Sequence, residues 1–267
     1  VCSSKEENAF LQKYLDNGSG KILLGAALVG AGCGSYELIT IKGLSEIRRA
    51  EVIVYDDLID EHLLEFAQES CELIYAGKRS GRHSKAQEEI NELLVAKALE
   101  GKYIVRLKGG DPYVFGRGGE EALALKEHGI PVHEVPGVTS GIGLCGMAGI
   151  PVTHRGASRG FHVITGHTAD NLPPEVEEIR WKSYAKLDET FVFLMGLKSI
   201  DMITGKLMRY GKPEDTAVAV IHGNNSDGTY VKLVGTLSDI AEKVKTADFP
   251  SPAIIVVGEV ASLELTD

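Results

Sequence analysis

Short apolar runs alternate with helix-period segments along nearly the whole chain, and such a chain has few options besides sheets covered by helices. Runs at 26–29, 52–55, 73–76, 103–107 and 132–135 predict buried strands, with helical spacing at 38–49 and 87–100 between them. That pattern predicts a parallel-sheet domain. After Pro136-Gly137 and a small-residue stretch at 139–149 the alternation restarts, with strands expected at 161–165, 191–195, 217–221, 230–234 and 253–257 and helices near 200–210 and 237–244. A length of 267 residues at 43% hydrophobic content is enough for two cores. The fold class is therefore α/β: two α/β domains, 22–138 and 139–267, with a hinge near 136–143 and a ligand cleft between them. Residues 1–21 fit neither domain and are expected to be an N-terminal extension or linker. No internal repeat is visible.

Several classes of function are disfavoured. No stretch reaches eighteen uninterrupted apolar residues, and the first residues lack a charged-then-apolar signal layout, so a cytoplasmic address with no membrane partner is expected. Cys2, Cys33, Cys71 and Cys145 lie far apart without metal-ligand spacing, which predicts neither disulfides nor a metal site. A net charge of −10 disfavours nucleic acid, whose backbone needs clustered cations. One basic island stands out at 77–85, GKRSGRHSK, with Lys78, Arg79, Arg82, His83 and Lys85 and no acid. It reads equally as a solvated loop or as a seat for a small polyanion.

The segment VRLKGGDPYVFGRGGEE at 105–121 carries the strongest local signal. An apolar strand runs into Lys108, then Gly109-Gly110-Asp111-Pro112, then Gly116-Arg117-Gly118-Gly119. Glycine admits positive φ and leaves no Cβ between backbone and ligand, so glycine pairs flanking a carboxylate and two cations read as a polar small-molecule site. A shorter GGD would be read as a turn. A second glycine run, Gly30-Ala31-Gly32-Cys33-Gly34, follows the first strand, with Asp56 after the second. This approaches a dinucleotide fingerprint, but Ser35 stands where its third glycine belongs. A nicotinamide-dependent oxidoreductase is thus one alternative, and a non-catalytic small-molecule binding protein another.

Read together, GAGCGSYELITIKGL, VIVYDD, AGKRSGRHSKAQEEIN, VRLKGGDPYVFGRGGEE, PGVTSGI, GIPVTHR, MGL and SPAIIVVGEV resemble the tetrapyrrole methylase family. The likeness covers about 26–260, and the GKR…QEEIN and GRGGEE stretches are similar to its uroporphyrinogen branch in particular. The resemblance implies transfer of methyl groups from S-adenosyl-L-methionine to two pyrrole carbons (C-2 and C-7) of uroporphyrinogen III. The products would be precorrin-2, on the way to sirohaem or cobalamin, and S-adenosyl-L-homocysteine. Another precorrin methylase is the alternative within the family, and a homodimer is expected. By the same resemblance, Cys33, Gly109, Gly110, Asp111, Val114, Thr139, Ser140, Met195, Asn224 and Ala253 contact the cofactor. Arg79, Arg117, Glu120 and Arg155 face the tetrapyrrole, whose many carboxylates call for local cations. Asp56 is the implied proton acceptor and Lys78 the proton donor. The chain departs from the family's G-x-G-P-G-D with Cys33 for Pro and Ser35 for Asp, and Asp57 beside Asp56 is expected to crowd it with like charge.

Overall fold

The computed structural model describes residues 25–77, 87–166, 173–223, 229–263 and 265. The chain divides into two compact units, with the boundary between Thr139 and Ser140.

In the first unit, β1 (Gly25–Gly30), β2 (Val52–Tyr55), β3 (Glu72–Tyr75), β4 (Tyr103–Lys108) and β5 (Val132–Val135) form a wholly parallel sheet in the order β3-β2-β4-β1-β5. Successive residues of a strand point to opposite faces, and both faces here are covered. Ala27, Val29, Ile53, Tyr103, Val105 and Leu107 form one core with Ile47 of α1 (Ile41–Arg49). Ala26, Leu28, Val54 and Ile104 form the other with Leu94 of α2 (Gln87–Leu99) and Leu125 of α3 (Gly118–Glu127). Two-sided burial explains why the central part of β1 and the whole of β2 read as unbroken apolar runs.

The helix expected from residue 38 begins later. Ser35 caps a short 3-10 turn at Tyr36–Leu38, the chain extends at Ile39, and Thr40 opens α1 by accepting the Gly43 N–H on its Oγ1 at 3.0 Å. A good N-cap inside an apolar run restarts the helix there. Arg48 and Arg49 fill its last turn, where cations meet the negative end of the helix dipole.

The second unit carries a mixed sheet in the order β6-β7-β10-β8-β9. β6 (Phe161–Thr165) and β7 (Thr190–Leu194) are parallel, joined through α5 (Pro174–Lys186). β8 (Ala217–His222), β9 (Val231–Thr236) and β10 (Ala253–Val257) pair antiparallel, with β10 also antiparallel to β7. One core gathers Phe191, Phe193 and Ile255 with Trp181 of α5, Ile203 and Leu207 of α6 (Ile200–Arg209) and Val244 of α7 (Ile240–Thr246).

Part of the small-residue stretch at 139–149 is helical, forming α4 (Ser140–Met147). Its glycines are poor helix formers, and packing overrides the propensity. A Cβ on Gly141 would lie 2.9 Å from Val163 Cγ1, and one on Gly223 would lie 2.2 Å from Leu144 Cδ1. Only small residues let this helix sit so close to the sheet.

Trp181, the single tryptophan, stacks on Phe193 with ring centroids 6.2 Å apart. Phe193→Ala is expected to destabilise the second unit by about 3–5 kcal/mol. Urea unfolding followed by Trp181 fluorescence measures it, and an unchanged midpoint would contradict the packing described.

Candidate functional site

β1 and β4 are neighbours, yet α1 after β1 covers one face of the sheet and α3 after β4 covers the other. Loops that part in this way leave a crevice at the carboxyl ends of the strands, the usual ligand position in open α/β sheets. Both glycine runs of the sequence lie there. Gly32 N–H donates to Gly110 O at 3.2 Å and Gly110 N–H to Gly32 O at 2.7 Å, both residues having positive φ (+79° and +69°). A third loop, after β5, closes on them. A Cβ on Gly137 would lie 2.1 Å from Gly110 O, and one on Gly30 would lie 2.5 Å from Gly137 Cα. Three backbones therefore touch where no side chain fits. Gly109 is bare for a related reason, since its Cβ would lie 2.5 Å from Leu58 Cβ. Part of the glycine richness serves loop-to-loop contact rather than access for a ligand.

Asp111 ties these loops. Its Oδ1 accepts from Tyr113 N at 2.8 Å and Val114 N at 3.2 Å, and its Oδ2 accepts from Gly137 N at 3.1 Å. Oδ2 keeps a lone pair beyond that bond. Beyond the turn, Phe115 (φ 55°) and Arg117 (φ 58°) are non-glycine residues in the left-handed region, a strain that concentrates at functional sites. Arg117 forks onto Glu120, with Nε to Oε1 at 2.8 Å and Nη2 to Oε2 at 2.7 Å, and this exposed guanidinium holds the Glu120 carboxyl below its usual range. Two residues expected to face substrate thus hold each other.

Asp56 follows β2. Its Oδ1 accepts from Leu58 N at 3.1 Å and its Oδ2 from Arg106 Nη2 at 2.9 Å. Asp57 turns to a different partner, Tyr75 Oη, so the two adjacent carboxylates are separately engaged. Arg106 and Lys108 continue the alternation of Ile104 on the α3-facing side of β4, and both are buried. There they meet Glu121 of α3: Arg106 Nε and Lys108 Nζ reach its Oε1 at 3.1 and 2.9 Å, with Gln87 Nε2 at 3.3 Å. Burial first, and the Arg106 charge second, pull the Lys108 ammonium below its ordinary range. The reading of Lys108 as a ligand-facing cation past the strand is thereby corrected: it is the last residue of β4 and points into the protein. Sequence reasoning missed Arg106 and Glu121. The available signal was two cations at alternate positions of an otherwise apolar strand, which burial allows only with a matching acid.

Other expected residues distribute as follows. Cys33 is 7% exposed, so its thiol is shielded without any ligand. Val114 is half-buried in the Asp111 turn, and Thr139 ends the first unit. In the second unit, Ser140 opens α4, and Met195 follows β7 with φ 56° and 54% exposure. Ala253, buried at the start of β10, pairs with His222, and the Ile255–Phe193 register brings it level with Met195 at one end of these two strands. Arg155 is exposed in the turn closed by the His154–Ser158 bridge. Lys78, Arg79 and Asn224 lie outside the described residues, as do Arg82, His83 and Lys85. Ser35 supplies the capping oxygen to Glu37 N at 3.2 Å. Among the described residues, no helix is long and apolar enough to cross a membrane and no three His, Cys, Asp or Glu side chains are grouped to hold a metal.

The model of the tetrapyrrole (corrin/porphyrin) methylases matches residues 27–241. The chain belongs to the tetrapyrrole methylase family. This methylase is 49% identical over 248 residues to the uroporphyrinogen-III C-methyltransferase of Methanocaldococcus jannaschii, covering 92% of the chain and 98% of that relative. It is 41% identical to a siroheme synthase of Actinobacillus pleuropneumoniae, covering 97% of the chain but 52% of that longer protein. Among solved structures it resembles the uroporphyrin-III C-methyltransferase of Thermus thermophilus complexed with S-adenosyl homocysteine, with TM-score 0.73 and 37% identity over 88% of this chain and 98% of that one. Family membership displaces the nicotinamide and binding-protein alternatives.

Two glycine substitutions separate crowded from open positions in the methylase. Gly137→Ala forces a Cβ onto Gly110 O and is expected to lower stability by about 1–3 kcal/mol or more. Gly119→Ala in α3 meets nothing within 4 Å and should raise it by roughly 0.4–1 kcal/mol. Thermal melts of both variants decide the matter, and equal effects would contradict the three-loop contact.

Proposed function

We propose that this chain is a uroporphyrinogen-III C-methyltransferase that moves methyl groups from S-adenosyl-L-methionine to two pyrrole carbons of uroporphyrinogen III, giving precorrin-2 and S-adenosyl-L-homocysteine. The observation that carries the proposal is the closure of three glycine loops at the switch point of a chain 49% identical to an enzyme of that name over 98% of its length. A cytoplasmic homodimer is part of the same reading.

The residues fit such a ligand. The loops at Gly109 and Gly110 present main chain with little side chain, and Asp111 Oδ2 retains acceptor capacity for an ammonium after its bond to Gly137. The resemblance adds Cys33, Val114, Thr139, Ser140, Met195, Asn224 and Ala253 as cofactor contacts, with Met195 as a soft apolar wall for the purine. The sulfonium supplies an activated methyl group. An electron-rich pyrrole carbon forms the new C–C bond while the C–S pair returns to sulfur, which leaves a cationic ring that must lose a proton from a bridging carbon. Asp56 takes that proton on its carboxylate, and Lys78 is the proton donor. Much of the rate comes from holding methyl and carbon in line. Arg79, Arg117 and Arg155 receive the substrate's carboxylates, with Glu120 as the group Arg117 exchanges.

Asp56→Ala and Lys78→Ile are expected to slow methyl transfer by about 10²–10⁴-fold with S-adenosyl-homocysteine affinity near wild type. Asp111→Ala should weaken that affinity about tenfold or more, since it removes a charge-assisted bond of about 1.5–3 kcal/mol. Calorimetry and mass spectrometry of the methylated tetrapyrrole read both. Wild-type affinity in Asp111→Ala would overturn the loop assignment, and methylation of other precorrins but not uroporphyrinogen III would overturn the substrate.

A further inference from the structure

We infer that Arg106 is a positioning residue for this reaction, fixing the carboxylate of Asp56 from beneath; the inference rests on the reading of Asp56 as the proton acceptor.

Arg106 is 3% exposed, and its guanidinium is committed in four directions. Nη1 donates to Val54 O at 3.2 Å and Leu107 O at 2.9 Å, Nε to Glu121 Oε1 at 3.1 Å, and Nη2 to Asp56 Oδ2 at 2.9 Å. The guanidinium is planar, so three of these bonds fix where the fourth points. Two of the anchors are main-chain carbonyls of strands in the centre of the sheet, and the third is a carboxylate with no solvent exposure. Asp56 itself sits just past β2, with its side chain partly open, as a group that meets substrate must be. With Leu58 N on its other oxygen, the carboxylate has one orientation rather than a range. Lys108 hydrogen-bonds Glu121 rather than Asp56, so the second buried cation leaves the Asp56 hydrogen bonds to Arg106 and Leu58.

A side chain that acts only through Asp56 leaves a signature in a double-mutant cycle. Arg106→Gln alone should slow methyl transfer by about tenfold to a hundredfold, in keeping with the cost of a misplaced group. In the Asp56→Ala background the same change should slow it no further, and S-adenosyl-homocysteine affinity should stay within about twofold of wild type throughout. Arg106→Lys, which keeps a cation beside Glu121 and so spares the fold, is taken through the same cycle and should also be non-additive. Equal slowing with and without Asp56, or loss of S-adenosyl-homocysteine binding by both Arg106 variants, overturns the positioning role and assigns Arg106 to the fold. If Asp56→Ala itself retains full rate, the proton-acceptor reading fails first; a slow Arg106→Gln would then show that Arg106 acts by another route.

Discussion

Glu121 has no exposed surface and receives two cations and an amide on one carboxylate oxygen. Taking Arg106 and Lys108 out of water is costly, and this acid on α3, with Asp56 on Arg106, makes it tolerable on an inward face of a central strand. The ion cluster therefore sets the register between α3 and β4. It also brings the start of α3, and with it Arg117 and Glu120, to the mouth of the crevice. Compensation is incomplete, because Glu121 Oε2 has no hydrogen-bond partner among the described residues. A cluster that stores an unmet polar atom is better explained by what it orients than by what it stabilises.

The crevice has a second foundation in the absence of side chains. Gly30 ends β1 while Gly110 and Gly137 lie in the loops after β4 and β5, and any Cβ on Gly30 or Gly137 would drive these backbones apart. Asp111 acts where glycine cannot, drawing the loop after β5 to the loop after β4 through one carboxylate oxygen. Parallel topology supplies the opening, glycine supplies the closeness, and Asp111 supplies the tie. These three features together make a seat of main chain against a rigid sheet.

Much of the fold was legible because both faces of the first sheet are buried, which turns its strands into the apolar runs seen at Ala26–Val29 and Tyr103–Leu107. Helix limits were less legible: Thr40 restarts a helix that periodicity alone begins at Leu38, and α4 forms from a glycine-rich stretch whose composition gives no helical signal. The antiparallel half of the second sheet was not legible, since pairing direction depends on connections rather than on strand composition. At the site, the glycine loops and Asp56 stood out by residue type. Arg106 and Glu121 did not, because their meaning lies in a contact between residues fifteen apart.

The Arg117–Glu120 fork gives the entrance an ionic character of its own. A carboxylate approaching this guanidinium finds two of its five N–H donors already on Glu120, so its charge is paired before any association there. Dissolved salt weakens this pair as well as any pair made there. If, as proposed, substrate carboxylates meet this arginine, a macrocycle with acid arms on every ring would outcompete a simple acid through multivalency.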